Sequence, residues 1–307
     1  MNARRFLYGP GGQLHAPWRI VAFIAITFVG VVVVQSLVGP IFEWSFARVG
    51  LAGVDTSSWV IAIAALGATA ICVRQIDKRT WREVWLDRSA ARPSALAYGF
   101  AVGAFAIGLP VALLLVAHWM RNVGSPPGSW TPAALRVTLT LLPAALLEEL
   151  LTRGYILSVL RESWGWTAAI VATSLAFGLL HFANPDATAG SLGLVTLAGF
   201  FLAAVLYATR SLYAAWMAHF AWNWTMAVLF HTAVSGIRME SPIYRYVDSG
   251  PDWATGGPWG PEGGVPAALG MVAGMAFMFA ARRRFDATPT ASRASQASLV
   301  SEASQEN

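Results

Sequence analysis

Glu148 and Glu149 stand side by side in the stretch PAALLEELLTRGYILSVL, residues 143 to 160, and Arg153 follows four positions after the second of them. Ionised groups inside an apolar helix cost about 3 kcal/mol each to place in a bilayer, so they face a protein interior or a water-filled cavity and mark function. Glu149 and Arg153 are spaced i and i+4 with the acid on the N-terminal side, the favourable orientation for an ion pair. Glu148 has no basic partner on its own helix. The spacing therefore gives Glu149 a structural part and leaves Glu148 available for chemistry.

Two histidines lie in similarly apolar surroundings. His181 sits in FGLLHFAN, and His219 in AWMAHFAWNW with Asn223 one helical turn on and on the same face. If the segment SWGW, residues 163 to 166, turns the chain between two antiparallel helices, its centre lies midway between positions 148 and 181. That brings His181 level with Glu148, each about 24 Å along its helix from the turn. His219 lies about 12 Å from the start of its own helix near Ser211, and it reaches a similar depth if the hairpin projects somewhat into the cytoplasm. Glu148, His181, His219 and Asn223 would then converge on one polar cavity. A carboxylate and an imidazole at one depth can act as a general-base pair or bind a metal.

The elements that must position these residues are membrane helices. Of 307 residues, 56% are hydrophobic and 12% charged, with a mean hydropathy of +0.54, and a soluble domain carries roughly twice that charged fraction. Uncharged apolar runs fall at about 20 to 42, 56 to 73, 93 to 120, 137 to 147, 163 to 182, 187 to 209, 211 to 230 and 263 to 281. Most reach the ~20 residues that cross a hydrocarbon core as helix. The fourth run becomes a full helix, roughly 132 to 161, once the charged cluster is admitted into it. The expected fold is all-α and polytopic, with about eight transmembrane helices. Residues 20–281 form the membrane domain, 1–19 a cytoplasmic N-terminus and 282–307 a Ser- and Ala-rich disordered cytoplasmic tail.

The first run follows Arg4, Arg5 and Arg19 but lacks a small-residue cleavage site, so it reads as an uncleaved span. With the N-terminus inside, 16 of the 21 basic residues fall on or toward the cytoplasmic side, and Arg48, Arg121, Arg136, Arg238 and Arg245 fall outside. That asymmetry follows the positive-inside rule, so the net charge of +5 reports topology and no nucleic-acid partner is expected. Both termini are assigned to the cytoplasm, in a bacterial inner or plasma membrane. Cys72 is the single cysteine, which excludes an intramolecular disulfide and a four-cysteine metal site. The segment 81 to 88, WREVWLDR, reads as amphipathic and suited to the inner membrane surface. Pro110 predicts a kink. His118 and His231 stand near outer helix ends and read as interfacial, and His15 as solvated. Residues 231 to 263 form a long outer loop rich in Gly and Pro.

Three motifs occur in order along these apolar helices: E-E-x-x-x-R at Glu148, Glu149 and Arg153; F-x-x-x-H at Phe177 and His181; and H-x-x-x-N at His219 and Asn223. Together they resemble the CPBP family, the CAAX protease and bacteriocin-processing intramembrane proteases with their Rce1-like prenyl-protein endopeptidases, over a core of about residues 131 to 231. The resemblance implies peptide-bond hydrolysis in the membrane, on a peptide or lipidated protein substrate. It implies that Glu148 and His181 activate water, that His219 and Asn223 stabilise the oxyanion, and that Glu149, Arg153 and Phe177 support the site. The family's metalloprotease label admits zinc on Glu148, His181 and His219, while the absence of HExxH admits a metal-free glutamate mechanism equally. The contrasting reading is a proton-coupled transporter using the same buried acids and histidines; the lack of internal repeats counts against it. An inactive binding or immunity module is disfavoured because every motif position is filled.

Overall fold

The computed structural model describes residues 6–9 and 12–286. Among them the helices of eight residues or more are α1 (Ala16–Leu37), α2 (Gly39–Arg48), α3 (Ser57–Ile71), α4 (Pro93–Val116), α5 (Trp130–Glu149), α6 (Tyr155–Leu180), α7 (Ala189–Thr209), α8 (Leu212–Trp224) and α9 (Val265–Asp286). A wide π turn extends three of them, at Cys72–Ile76, Leu150–Gly154 and Thr225–Leu229. The protein is an all-α polytopic membrane fold. Among the described residues the named strands are β1 (Met120–Gly124) and β2 (Tyr244–Asp248), a two-stranded antiparallel sheet that marks one end of the bundle. Arg19, Arg79, Arg161 and Arg210 mark the other.

Five helical segments are long and apolar enough to cross a membrane: Ala16–Leu37, Ser57–Ile76, Pro93–Val116, Ala189–Thr209 and Val265–Arg283. The segments that bear the motifs, α5, α6 and α8, fall outside that set. The same polar residues that could do chemistry lower the hydropathy of α5 and α8, and α6 is interrupted. The expected count of eight thus rests on those three segments as well.

The single helix expected over 132 to 161 is replaced by two. The backbone leaves helical geometry at Gly154, with φ −81° and ψ −119°, so Tyr155 begins a separate short segment. It leaves it again at Gly165, whose φ of 79° is a left-handed value that glycine adopts without a Cβ penalty. The expected turn at 163 to 166 is therefore present, but between the motif-bearing half of α5 and the His181 half of α6 lies an intervening helical piece. Polar contacts at the arginine end hold that piece in place. Arg19 pairs with Asp77 at 2.5 Å and with Glu162 at 2.8 Å, Arg79 pairs with Glu162, and the Tyr155 hydroxyl donates to Asp77. The Arg79 and Arg19 guanidinium groups hold the Glu162 carboxyl down at about 2.

Other expectations are also revised. Trp81–Val84 forms one 3-10 turn instead of a surface helix, and Val84 and Trp85 are buried. Ser158 donates to the Glu83 carbonyl and Leu212 to the Trp85 carbonyl, so the segment is packed between helices. Residues 282–286, expected in the tail, complete α9; the rest of the expected tail and residues 1–5 lie outside the described residues. His231 is only 4% exposed and stacks on Tyr244, whereas His118 and His15 are exposed. Pro110 sits inside α4.

Small residues set the distances between the site helices. Gly99 and Gly103 on α4 face the carbonyls of Ala214 and Ala218 on α8, where a Cβ would collide with each. Close approach of this small-xxx-small kind is how helices pack where lipid supplies no hydrophobic drive. It fixes α8 one residue before His219. On α7, Gly199 meets Ser174 of α6 in the same way, and Gly178 of α6 meets Thr196.

A topology test follows from the arginine asymmetry. Reporter fusions at residue 307 and within 245 to 260 are expected to report opposite sides of the membrane. The same side for both would remove the eight-span arrangement.

Candidate active site

Glu148 and Glu149 lie in the last helical turn of α5, before the π turn that carries Arg153. The two carboxylates point to different partners. Glu149 is fully buried, and its Oε1 accepts from Arg153 Nη1 at 3.1 Å and from His219 Nδ1 at 3.0 Å. Arg153, equally buried, also donates to the Thr152 hydroxyl and to the Gly199 carbonyl of α7, and its guanidinium lies 4.0 Å from the centre of the Phe177 ring. The predicted Glu149–Arg153 pair is thus present. It sits inside a larger arrangement that joins α5, α6, α7 and α8.

Glu148 is different. Its side chain is 29% exposed, yet Oε2 is buried and accepts no hydrogen bond. Two imidazole nitrogens approach that oxygen, His181 Nε2 at 3.6 Å and His219 Nε2 at 3.8 Å, both beyond hydrogen-bond range. The partners of the opposite ring nitrogens settle which face of each imidazole is free. His181 Nδ1 contacts the Phe177 carbonyl at 2.9 Å, and a carbonyl only accepts, so Nδ1 carries the proton. His219 Nδ1 likewise donates to the Glu149 carboxylate. In their neutral forms both Nε2 atoms therefore turn lone pairs toward the Glu148 oxygen.

Asn223, one turn beyond His219, makes no hydrogen bond among the described residues. It lines the same cavity as Phe177, His181 and His219, which holds about 20 Å³, space for a water molecule but not for a peptide. Phe177, His181, His219 and Asn223 thus share one cavity, beside which Glu148 approaches the two imidazoles, and Phe177 packs edge-on to the His219 ring at 5.7 Å.

The cavity also contains residues that motif reasoning missed. Glu262 closes one wall. It is 6% exposed and accepts from Trp222 Nε1 at 2.9 Å and from the backbone and hydroxyl of Ser235, both at 2.6 Å. An acid in the Gly- and Pro-rich stretch GPWGPEGG carries no periodicity, so nothing local distinguishes it from a solvated loop residue.

The zinc set can be tested on these distances. Tetrahedral zinc with bonds of about 2.0 to 2.1 Å places its ligand atoms roughly 3.4 Å apart, and the two contacts to Glu148 approach that value. Even so, no group of three or more His, Cys, Asp and Glu side chains among the described residues is arranged to hold a metal ion.

A family model supports the motif reading. Residues 129–225 match Rce1-like, the type II CAAX prenyl endopeptidase Rce1-like family. The matched segment spans α5 to α8, close to a third of the chain, and contains all three motifs; the resemblance to the Rce1-like peptidases is shown over that segment. No curated protein and no solved structure matches the chain.

Proposed function

We propose that the cavity hydrolyses peptide bonds of a membrane-associated peptide or lipidated protein, with Glu148 and His181 activating the attacking water. The observation that carries this reading is the unpartnered Glu148 oxygen facing two imidazole Nε2 atoms. Two acceptors directed at one point, Glu148 Oε2 and His181 Nε2, call for a species with hydrogens between them, and water is the smallest that also reacts with a carbonyl. Water donates to Glu148 and His181 and attacks the scissile carbonyl carbon while its proton passes to that pair. The carbonyl oxygen becomes an oxyanion in the tetrahedral intermediate, as donors placed where charge develops require. Asn223 supplies an N–H from its free amide. His219, when protonated, supplies Nε2–H, the positive charge being held by Glu149 on its other nitrogen. Collapse of the intermediate breaks the C–N bond, and the leaving amine takes back the proton held by Glu148 and His181.

Cleavage of a membrane-anchored peptide reporter in proteoliposomes tests the reading, with new N-termini as the product. A proton-coupled carrier using the same groups would release none and would instead acidify the lumen.

Metal content separates the two forms of the mechanism. If Glu148 and His181 activate water without a metal, protein stripped of metal by a strong chelator is expected to retain full cleavage. About one equivalent of zinc in active protein, with activity lost on chelation and restored by zinc, would assign Glu148, His181 and His219 as ligands instead.

A further inference from the structure

Outside the family-matched residues, the cavity wall comes from Met271 of α9 and from Ser235 and Glu262 in residues 231–264, between α8 and α9. The two ends of this segment, about 231–236 and 254–264, reach into the bundle, while β2 between them stays at the sheet end. Glu262 is bound by Trp222, which lies seven residues before Leu229, the last residue of the π turn that extends α8. At 1.5 Å per residue that places Glu262 about 10 Å below the sheet end of that helix. Non-helical backbone at such depth is tolerated only where it is buried in protein or lines an aqueous cavity, and here it is buried. Ala254, Trp259 and Pro261 are enclosed. Gly236, at φ 79°, sits against the Pro185 carbonyl, and Gly260, at φ 104°, against that of Ala233, where a Cβ would collide with either. Asn184, from the loop after His181, donates to the Ser235 carbonyl at 3.0 Å.

Glu262 joins these pieces. Its carboxylate ties Ser235, near the start of the segment, to Trp222, the neighbour of Asn223 and three residues beyond His219. All three donors are neutral, and both oxygens accept. An amide of the same shape cannot replace it, because its NH2 group would face an N–H or O–H donor. On the other side of the site the Glu148 side chain is partly exposed.

We propose that residues 231–264 form a re-entrant plug that closes the catalytic cavity from the sheet end, and that Glu262 is a positioning residue latching the plug to α8. A peptide then reaches Glu148 only from the side of the cavity away from the plug. The direction of approach rests on the proteolytic reading; the closure and its latch do not.

A thiol reporter tests the closure without turnover. In full-length, detergent-purified protein with Cys72→Ala, Ala198→Cys places a thiol on the α7 wall of the cavity. With Glu262 in place, the reporter is expected to resist a bulky maleimide. In Glu262→Gln its labelling is expected to rise by about tenfold or more while the melting transition stays cooperative. Trp222→Phe, which removes one bond of the latch and keeps an aromatic ring, gives an intermediate rise and carries the test if Glu262→Gln does not fold. Introducing Glu148→Gln should leave the labelling pattern unchanged, so a failure of the hydrolytic reading is recognised separately. Equal labelling with and without Glu262, or no change in either latch variant, overturns the plug.

Discussion

Replacing Glu148 by Gln is expected to lower turnover of a membrane-anchored reporter by about 100-fold or more, because general-base catalysis is worth ~10²- to 10⁴-fold. The side-chain shape is kept, and the oxygen that loses its charge has no hydrogen-bond partner to lose. Folding should therefore change little, and the yield and melting temperature of the variant should match those of the parent. No second change at Arg153 should restore its activity, since Arg153 pairs with the other glutamate. Normal cleavage by Glu148→Gln, combined with a well-folded but inactive Glu149→Gln, would reverse the assignment of the two carboxylates.

Glu149→Gln is expected to act first on stability. It leaves the fully buried Arg153 guanidinium without its counter-charge, and breaking a buried pair costs about 3 to 5 kcal/mol. Expression and melting temperature should fall accordingly. The double variant Glu149→Gln with Arg153→Met removes the orphaned charge and should recover part of that stability. Full activity should not return with it, because Glu149 also holds the Nδ1–H of His219 and so orients the imidazole that faces Glu148. A double variant no more stable than Glu149→Gln alone would show that the pair is not what holds the four helices together.

That second role of Glu149 shows where the sequence stops. The Glu149–Arg153 pair was legible because i and i+4 are neighbours on any helix, so no tertiary information is needed to see it. The membrane class was legible because hydropathy is a property of each residue. The approach of His181 and His219 to Glu148 was anticipated from the depth of each residue along its helix and from a turn at SWGW, and Gly165 does turn the chain there. The level-helix argument nonetheless reached the right neighbour through geometry that differs in detail, since the backbone leaves the helix at Gly154 and a short segment intervenes. Gly99 and Gly103 were a readable packing signal on α4, and it passed unnoticed because their partners, Ala214 and Ala218, are more than a hundred positions away.

By itself, then, the sequence determined the all-helical membrane class, the acids and histidines that lie inside apolar helices, and which glutamate pairs with arginine, all of which depend on residue type and on contacts within one helical turn. Only the tertiary structure decided that Glu149 serves His219 as well as Arg153, that two Nε2 atoms face the Glu148 oxygen, and that Glu262 enters the cavity wall. Those facts depend on how each helix is rotated about its axis and on how a loop folds back between helices. Both are set by close packing among distant residues, to which no spacing along a single chain corresponds.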